Sequence, residues 1–375
     1  MKKVAVMFGG VSVEHEVSVI TGLQILEQID REKYFPLPIY VDKKGIFHLK
    51  PNISKREDFY RSQDVVIFFG KDKDGVYIGK GKLLIDKQYI DCAYLAFHGG
   101  YGESGPVQGF FETLELPFTS PGMEASAITM NKVLTNQVLR DNKIQVVAGI
   151  SVFSKDIKKD IQKTVLGIKK VVGLPVIIKP VHLGSSIAIN IAKSEVELKK
   201  YLLEAAHVDN EILVEKLLKD FTEYNCAVRL IDGKVEASEV ERPIGSDEIL
   251  SFADKYLKGG NKKAAGMASL VRELPAKMPK DLRNKIQTIA KNAFAVCRCK
   301  AMVRIDFMVT KDEKIYLTEI NPIPGSMAFY LWEATGITFT QQITDLIEQS
   351  IKDFEYQQSL KLDYESDIVE KFVKR

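Results

Sequence analysis

Two short runs near the carboxyl end, VRIDFMV and IYLTEIN, alternate apolar and polar residues, and the turn-like KDEK separates them. That pattern predicts a β-hairpin that sends Arg304, Asp306, Glu319 and Asn321 to one face. Over the first ~120 residues strand and helix signals alternate: KKVAVMF, a helix from about His15 to Gln28, FPLPIYVD, DCAYLAF and the helical GPVQGFFETL. Such alternation predicts an α/β fold with a Rossmann-like parallel sheet, helices on both faces, and chemistry in the loops at the strand C-terminal ends. From about 126 to 215 come a helix over TMNKVLTNQVLRDN, a strand near VVAGISVF, the pair LPVIIKP and SIAINIA around a tight HLGSS loop, and ILVEKLL. This reads as a small α+β module. NCAVRLIDG and KVEASEVE follow, then a loop-rich stretch to Ala276, a helix from about Lys280 to Val296 and the hairpin. The expected organisation is 1–125, 126–215, 216–350 and a charged helical tail over 351–375.

Composition narrows the class. With 375 residues, 45% hydrophobic and 27% charged, the chain is long enough for two or three domains with buried cores. A net charge of +3, with both signs interspersed, leaves no nucleic-acid or membrane-surface footprint. The N-terminal MKKVAVMFGG ends in a Gly-Gly turn and meets charge at Glu14, so it reads as a first strand and not as a signal peptide. No apolar stretch approaches the ~20 residues of a membrane span. The four cysteines at 92, 226, 297 and 299 form no C-x-x-C pair, which points to buried thiols in a reducing cytoplasm. Cys297 and Cys299 flank Arg298, and a lowered thiol pKa is the alternative to plain helix packing there.

Oxygen donors on rigid strands, without His or Cys, suit Mg²⁺ at nucleotide phosphates better than zinc or a redox metal. Asp306, Glu319 and Asn321 are the candidate ligands; the alternative is a strand pair whose outward face is merely charged. Lys179 ends an apolar strand and precedes Gly184-Ser185-Ser186, a loop of little bulk whose backbone N–H groups can face an anion. It is not a Walker A loop, because the lysine precedes the glycine. Lys132 is a second phosphate candidate, with a surface lysine the alternative for each. The segment ILVEKLLKDFTEYN offers adenine and ribose contacts, with Glu215 and Glu223 in it. The Gly9-Gly10 turn lacks the G-x-G-x-x-G spacing, which disfavours a nicotinamide dehydrogenase.

The motifs GGVSVEHEVS, HGGYGESGPVQG, MNK, IIKPVHLGSS, DKY and RIDF…EINPIPG follow one another in register from Gly9 to about Gly336. In that order they resemble the D-alanine–D-alanine ligase family of the ATP-grasp superfamily. The resemblance implies a two-part ATP-grasp fold (α+β) after the first domain. It implies ATP as cosubstrate with two Mg²⁺ ions, Mn²⁺ being a possible substitute, and an acyl phosphate made from the first D-alanine and attacked by the amine of the second. Glu14 would anchor the first ammonium with Ser185 and Tyr256; Val17 and His98 would contact the same substrate. Lys132, Lys179, Ser185, Glu215, Lys216, Leu218, Glu223 and Lys255 would form the nucleotide site. Arg304 would stabilise the acyl phosphate and the tetrahedral adduct, a structural ion pair with Glu319 being the alternative. Gly325 and Ser326 would offer backbone N–H groups to the second substrate's carboxylate, beside Tyr330 and Leu331. Lys255 and Tyr256 fall in SFADKYLKGG, which has the composition of a lid. A cytoplasmic homodimer making the terminal dipeptide of peptidoglycan is implied.

Several positions depart from the family pattern. Ser104 stands where the family usually has Asp, and Asn131 where it has the Asp of M-D-K. Tyr330 falls where the family places a serine that grips the second substrate's carboxylate, so the pocket changes shape there. Retention of Tyr256 favours an amine acceptor over a hydroxy acid. The alternatives to joining two D-alanines are a related ATP-grasp ligase with another amino-acid pair, and a nucleotide-binding regulator without turnover; the intact Lys179, Arg304, Asp306, Glu319 and Asn321 speak against the regulator.

Overall fold

The computed structural model describes residues 1–51, 53, 56–61, 64–80, 86–185, 187–244, 272–360 and 366–373. The first sheet holds β1 (Lys2–Gly9), β2 (Tyr34–Val41), β3 (Phe47–Leu49), β4 (Val65–Asp72), β5 (Gly75–Lys80), β6 (Asp86–Tyr89) and β7 (Cys92–Leu95), in the order β6-β5-β4-β3-β2-β1-β7. Only β2, β1 and β7 are parallel; β3 to β6 extend the sheet in antiparallel fashion. The parallel sheet expected from the alternation of elements is present as β2-β1-β7, and β3 to β6 extend it into a mixed sheet. The turns VDKKG and KDKDG are too short for a crossover and long enough for a hairpin, so β2 with β3 and β4 with β5 pair antiparallel. Asp42 closes the first of them by accepting from the amides of Lys44 and Ile46 at 2.8 and 2.9 Å. The run Val4–Phe8 of β1, between β2 and β7, is wholly buried, as a strand flanked on both sides requires.

The second sheet is antiparallel, with β8 (Gly149–Phe153), β9 (Val176–Pro180), β10 (Asn190–Ala192) and β11 (Glu211–Lys216) in the order β10-β9-β11-β8. The third contains β12 (Phe221–Ile231), β13 (Lys234–Pro243), β14 (Arg272–Glu273), β15 (Met302–Thr310) and β16 (Ile315–Asn321) in the order β14-β13-β12-β15-β16. The helix Lys280–Val296 covers its core face through Leu282, Ile286, Ala290 and Phe294. The chain from Ile323 to Ile347 packs back on the first sheet: Leu331, Trp332, Ile343 and Leu346 share its core. That return is what brings the end of β16 against the loops that follow β1 and β7.

The predicted helix TMNKVLTNQVLRDN is broken at Asn131 into Met123–Met130 and Lys132–Asp141. The Asn131 side chain caps the second helix, accepting from the amides of Val133 and Leu134 at 3.0 and 2.9 Å. The cap sets Lys132 at a helix N-terminus facing the sheets. All four cysteines are buried, and burial pushes the Cys297 thiol up to about 12, which removes the reactive-thiol reading. Among the described residues no helix is long and apolar enough to cross a membrane.

Candidate active site

On β15 the side chains of Val303, Ile305, Phe307 and Val309 enter the core, so Arg304, Asp306 and Met308 face the other way. On β16 Asp306 pairs with Glu319 but Phe307 pairs with Leu317, which leaves Thr318 without an opposite residue. This β-bulge changes the phase of the strand. Without it Leu317, Glu319 and Asn321 would share a face; with it Leu317 stays in the core while Glu319 and Asn321 turn to the cleft. Thr318 Oγ1 fixes the bulge by donating to the Asp306 carbonyl at 3.0 Å. Across the sheet, Glu241, Asn225, Asp306 and Glu319 then stand opposite one another in a single row.

Arg304 grips Asp306 through two hydrogen bonds, Nε to Oδ1 at 2.7 Å and Nη2 to Oδ2 at 2.8 Å. The partner that the sequence suggested for it, Glu319, lies instead 3.3 Å from Lys132 Nζ. Asn321 Nδ2 donates to Asp306 Oδ2 at 3.1 Å. Among the described residues no group of three His, Cys, Asp or Glu side chains is placed for a metal, so any ion here rests on two carboxylates and the Asn321 amide. The set fits a divalent cation: its donors are hard oxygens on adjacent strands, and a carboxylate has lone pairs enough to hold Arg304 and an ion together.

The phosphate candidates lie beside it. Lys132 Nζ donates to the Leu183 carbonyl at 2.7 Å, so this one lysine ties the loop after β9 to β16. Lys179 and Glu215 form a buried ion pair at 2.6 Å, with Asn136 Nδ2 donating to Glu215 at 3.1 Å. Lys216 is exposed and Leu218 half-buried where the chain leaves β11, and Glu223 lies opposite Met308 on β12.

Ser185, at a left-handed φ of 51°, donates its hydroxyl proton to Glu14 Oε1. Gly99 and Gly184 close round this carboxylate: a Cβ at either would sit 2.6 or 2.9 Å from Glu14 Oε2. His98 is buried next to it. A carbonyl only accepts, so His98 Nδ1–H donates to Ile323 O at 2.9 Å, and Nε2 accepts from the Thr21 hydroxyl at 2.8 Å. Burial lowers the His98 pKa to about 4, with the Arg304 charge acting the same way. Glu103 accepts from the amides of Gly99 at 2.7 Å and Ile323 at 3.1 Å. Burial, then the nearby Glu14 charge, pushes its carboxyl up to about 8. Glu14, His98, Glu103, Ser185, Arg304, Glu319, Asn321 and Gly325 thus line one cleft.

Other sequence candidates sit differently. The Ser326 amide donates to Thr21 Oγ1 at 3.1 Å and does not project into the cleft. The Leu331 side chain is fully buried in the core, and Val17 is buried in the first helix. The Tyr330 hydroxyl donates to Glu241 Oε1 at 3.2 Å. Ser186, Lys255 and Tyr256 lie outside the described residues.

Residues 3–121 match the family profile described as D-ala D-ala ligase N-terminus, and 138–348 match D-ala D-ala ligase C-terminus. The chain belongs to the D-alanine–D-alanine ligase family. It is 34% identical over 367 residues to the D-alanine–D-alanine ligase of Thermosipho melanesiensis, covering 97% of both chains, and 32% identical to that of Shouchella clausii, covering 96% and 97%. The D-alanine–D-alanine ligase of Coxiella burnetii has a similar structure, with a TM-score of 0.78 at 28% identity over 95% of this chain and 96% of that one. The VanG D-Ala:D-Ser ligase of Enterococcus faecalis gives 0.77 at 23% identity over 93% and 99%, a likeness of fold alone. Family membership carries with it the use of ATP and a divalent cation. Sequence reasoning passed over Thr21, Glu103, Asn225 and Glu241 of this D-alanine–D-alanine ligase family chain. Glu103 carried a signal, the E of GESG, where Ser104 drew notice instead; the others are single polar residues whose neighbours come from remote strands.

Proposed function

We propose that this cleft joins two D-alanines at the expense of ATP, supplying the terminal dipeptide of peptidoglycan in the cytoplasm. The observation that supports the reading is the meeting of the Glu14–Ser185 pair with Arg304, Glu319 and Asn321 on one cavity, with Lys132 3.3 Å from Glu319 and Asp306 held by Arg304. A carboxylate resists attack by an amine, and phosphorylation gives it a leaving group. Glu14, oriented by Ser185, attracts the ammonium of the first D-alanine and so points its carboxylate toward the lysines. Lys132 and Lys179 offset phosphate charge, and Arg304 faces the carbon at which charge develops. The amine of the second D-alanine then displaces phosphate, forming the peptide bond. Asp306, Glu319 and Asn321 would hold two Mg²⁺ ions, or Mn²⁺ in their place, which when bound neutralise the β- and γ-phosphates. A homodimer is the proposed assembly. The test offers purified protein ATP, Mg²⁺ and each D- and L-amino acid in turn, following phosphate release. D-Alanine is expected to support turnover; turnover only with some other pair overturns the reading.

A further inference from the structure

Three contacts fasten the loop after β9, which carries Ser185, to the start of the helix Lys132–Asp141. The Lys132 amide donates to the Val181 carbonyl at 3.4 Å, Lys132 Nζ donates to the Leu183 carbonyl at 2.7 Å, and Asn131 Nδ2 meets His182 Nε2 at 3.2 Å. The third contact depends on a proton. Asn131 Oδ1 is occupied by the amides of Val133 and Leu134, so the atom facing His182 is the NH₂ group, which only donates. His182 Nε2 must therefore accept, and the ring is neutral with its proton on Nδ1. That proton goes to Asp209 Oδ1 at 2.8 Å, while Asp209 Oδ2 takes the His182 amide at 2.7 Å. The two neighbours of the ring make opposite demands. Asp209, its side chain 4% exposed, favours the imidazolium; Asn131 opposes it, since a charged ring carries N–H at both nitrogens. The other charges facing the ring are Glu211, at the start of β11, which also favours the cation, and Lys132, which disfavours it. The hydrogen bond to Asp209 outweighs burial, and the His182 pKa lies above the ordinary 6.5. An aspartate at 131, the family's usual residue there, would accept from a charged ring; the asparagine reverses that preference.

We propose that His182 is a positioning residue of the nucleotide site: its neutral ring, held by Asp209, accepts from Asn131 and keeps the Ser185 loop against Lys132, so that protonation of the ring loosens the phosphate-binding groups. The assignment rests on the nucleotide half of the ligase reading above. It gives the departure at Asn131 a consequence, which is nucleotide affinity that weakens as pH falls through the titration of His182.

The experiment measures the Kd of Mg²⁺-ADP by calorimetry from about pH 6 to about pH 9, a window that spans the ring's titration. The full-length protein is compared with His182→Gln, which keeps an acceptor in the place of Nε2 but gains no proton, and with Asn131→Asp. Groups common to all three, Glu103 and the nucleotide among them, cancel in the ratio of variant to wild type. From the upper to the lower pH the wild-type Kd should rise about 3- to 10-fold more than that of His182→Gln, the worth of one hydrogen bond. The new carboxylate of Asn131→Asp weakens binding at every pH by repelling phosphate, so its readout is the slope: its Kd should rise less on acidification than the wild type's. A His182→Gln or Asn131→Asp protein, folded by its melting curve, whose Kd follows pH as the wild type's does overturns the assignment; each variant decides alone should the other not fold. If the wild-type protein binds no Mg²⁺-ADP, the nucleotide site fails and takes this assignment with it, whereas binding with the expected pH step but no turnover of D-alanine overturns only the ligase reading.

Discussion

Glu103 accepts the Ile323 amide at 3.1 Å across 220 positions of sequence, fastening the loop after β16 to the loop after β7. Its carboxyl is raised toward about 8 by burial and by Glu14, so the folded protein favours the protonated acid. A folded pKa above the unfolded one contributes stability below pH ~4.5 that is lost as pH rises through about 8. Glu103→Gln puts an NH₂ group against one of two N–H donors and should cost about 1–3 kcal/mol at pH 5. The gap to wild type should narrow by pH 9, where the wild-type carboxyl has ionised. Urea denaturation at both pH values checks this; an equal gap refutes it.

His98 acts in the opposite sense. Its folded pKa of about 4 lies below the usual 6.5, so its contribution is intact above pH 6.5 and is lost as pH falls through 4. That weaker hold on the proton in the folded state is worth about 3 kcal/mol. His98→Asn should flatten the decline in stability between pH 6.5 and 4, read from denaturation midpoints; a slope as steep as wild type's would mean that other groups cause it.

Much of this molecule is legible in the order of its residues. Strand runs, the helix Lys280–Val296 and the hairpin were visible because their apolar periodicity is local. The antiparallel strands β3 to β6 were not, since β3 is three residues long and the apolar VVIFF of β4 is half-exposed, so its run does not mark a buried strand. At the site, Glu14, Ser185 and the hairpin carboxylates sit in recognisable motifs. Partner choice was illegible: Arg304 takes Asp306 and not Glu319 because both leave one strand two residues apart, while the Thr318 bulge swings Glu319 toward Lys132.

Gly184 and Gly99 separate packing from conformation. Gly184→Ala places a Cβ 2.9 Å from Glu14 Oε2. The displaced atom ends a side chain, so stability should fall by less than about 1 kcal/mol while the KM for the first D-alanine rises. Gly99→Ala adds a φ of 67° and a 2.5 Å approach to Ser12 Oγ, and should lose both stability and activity, by about 1 kcal/mol or more. Steady-state kinetics with thermal melts distinguish the two; equal melting losses would contradict the assignment.

Lys179 and Glu215 permit the sharpest separation of binding from folding. Their 2.6 Å pair is nearly out of reach of solvent, with side chains 11% and 5% exposed. Lys179→Met leaves the Glu215 carboxylate with Asn136 as its remaining described partner and should destabilise by about 3–5 kcal/mol. Lys179→Met/Glu215→Leu removes both charges and should recover most of that, because a well-packed apolar pair avoids the desolvation that the ion pair incurs. If Lys179 also holds a phosphate, the recovered double variant stays weak for ATP, its KM raised about tenfold or more, since no lysine has returned. A refolded double variant that takes ATP like wild type would leave Lys179 a purely structural partner of Glu215 and pass the phosphate role to Lys132.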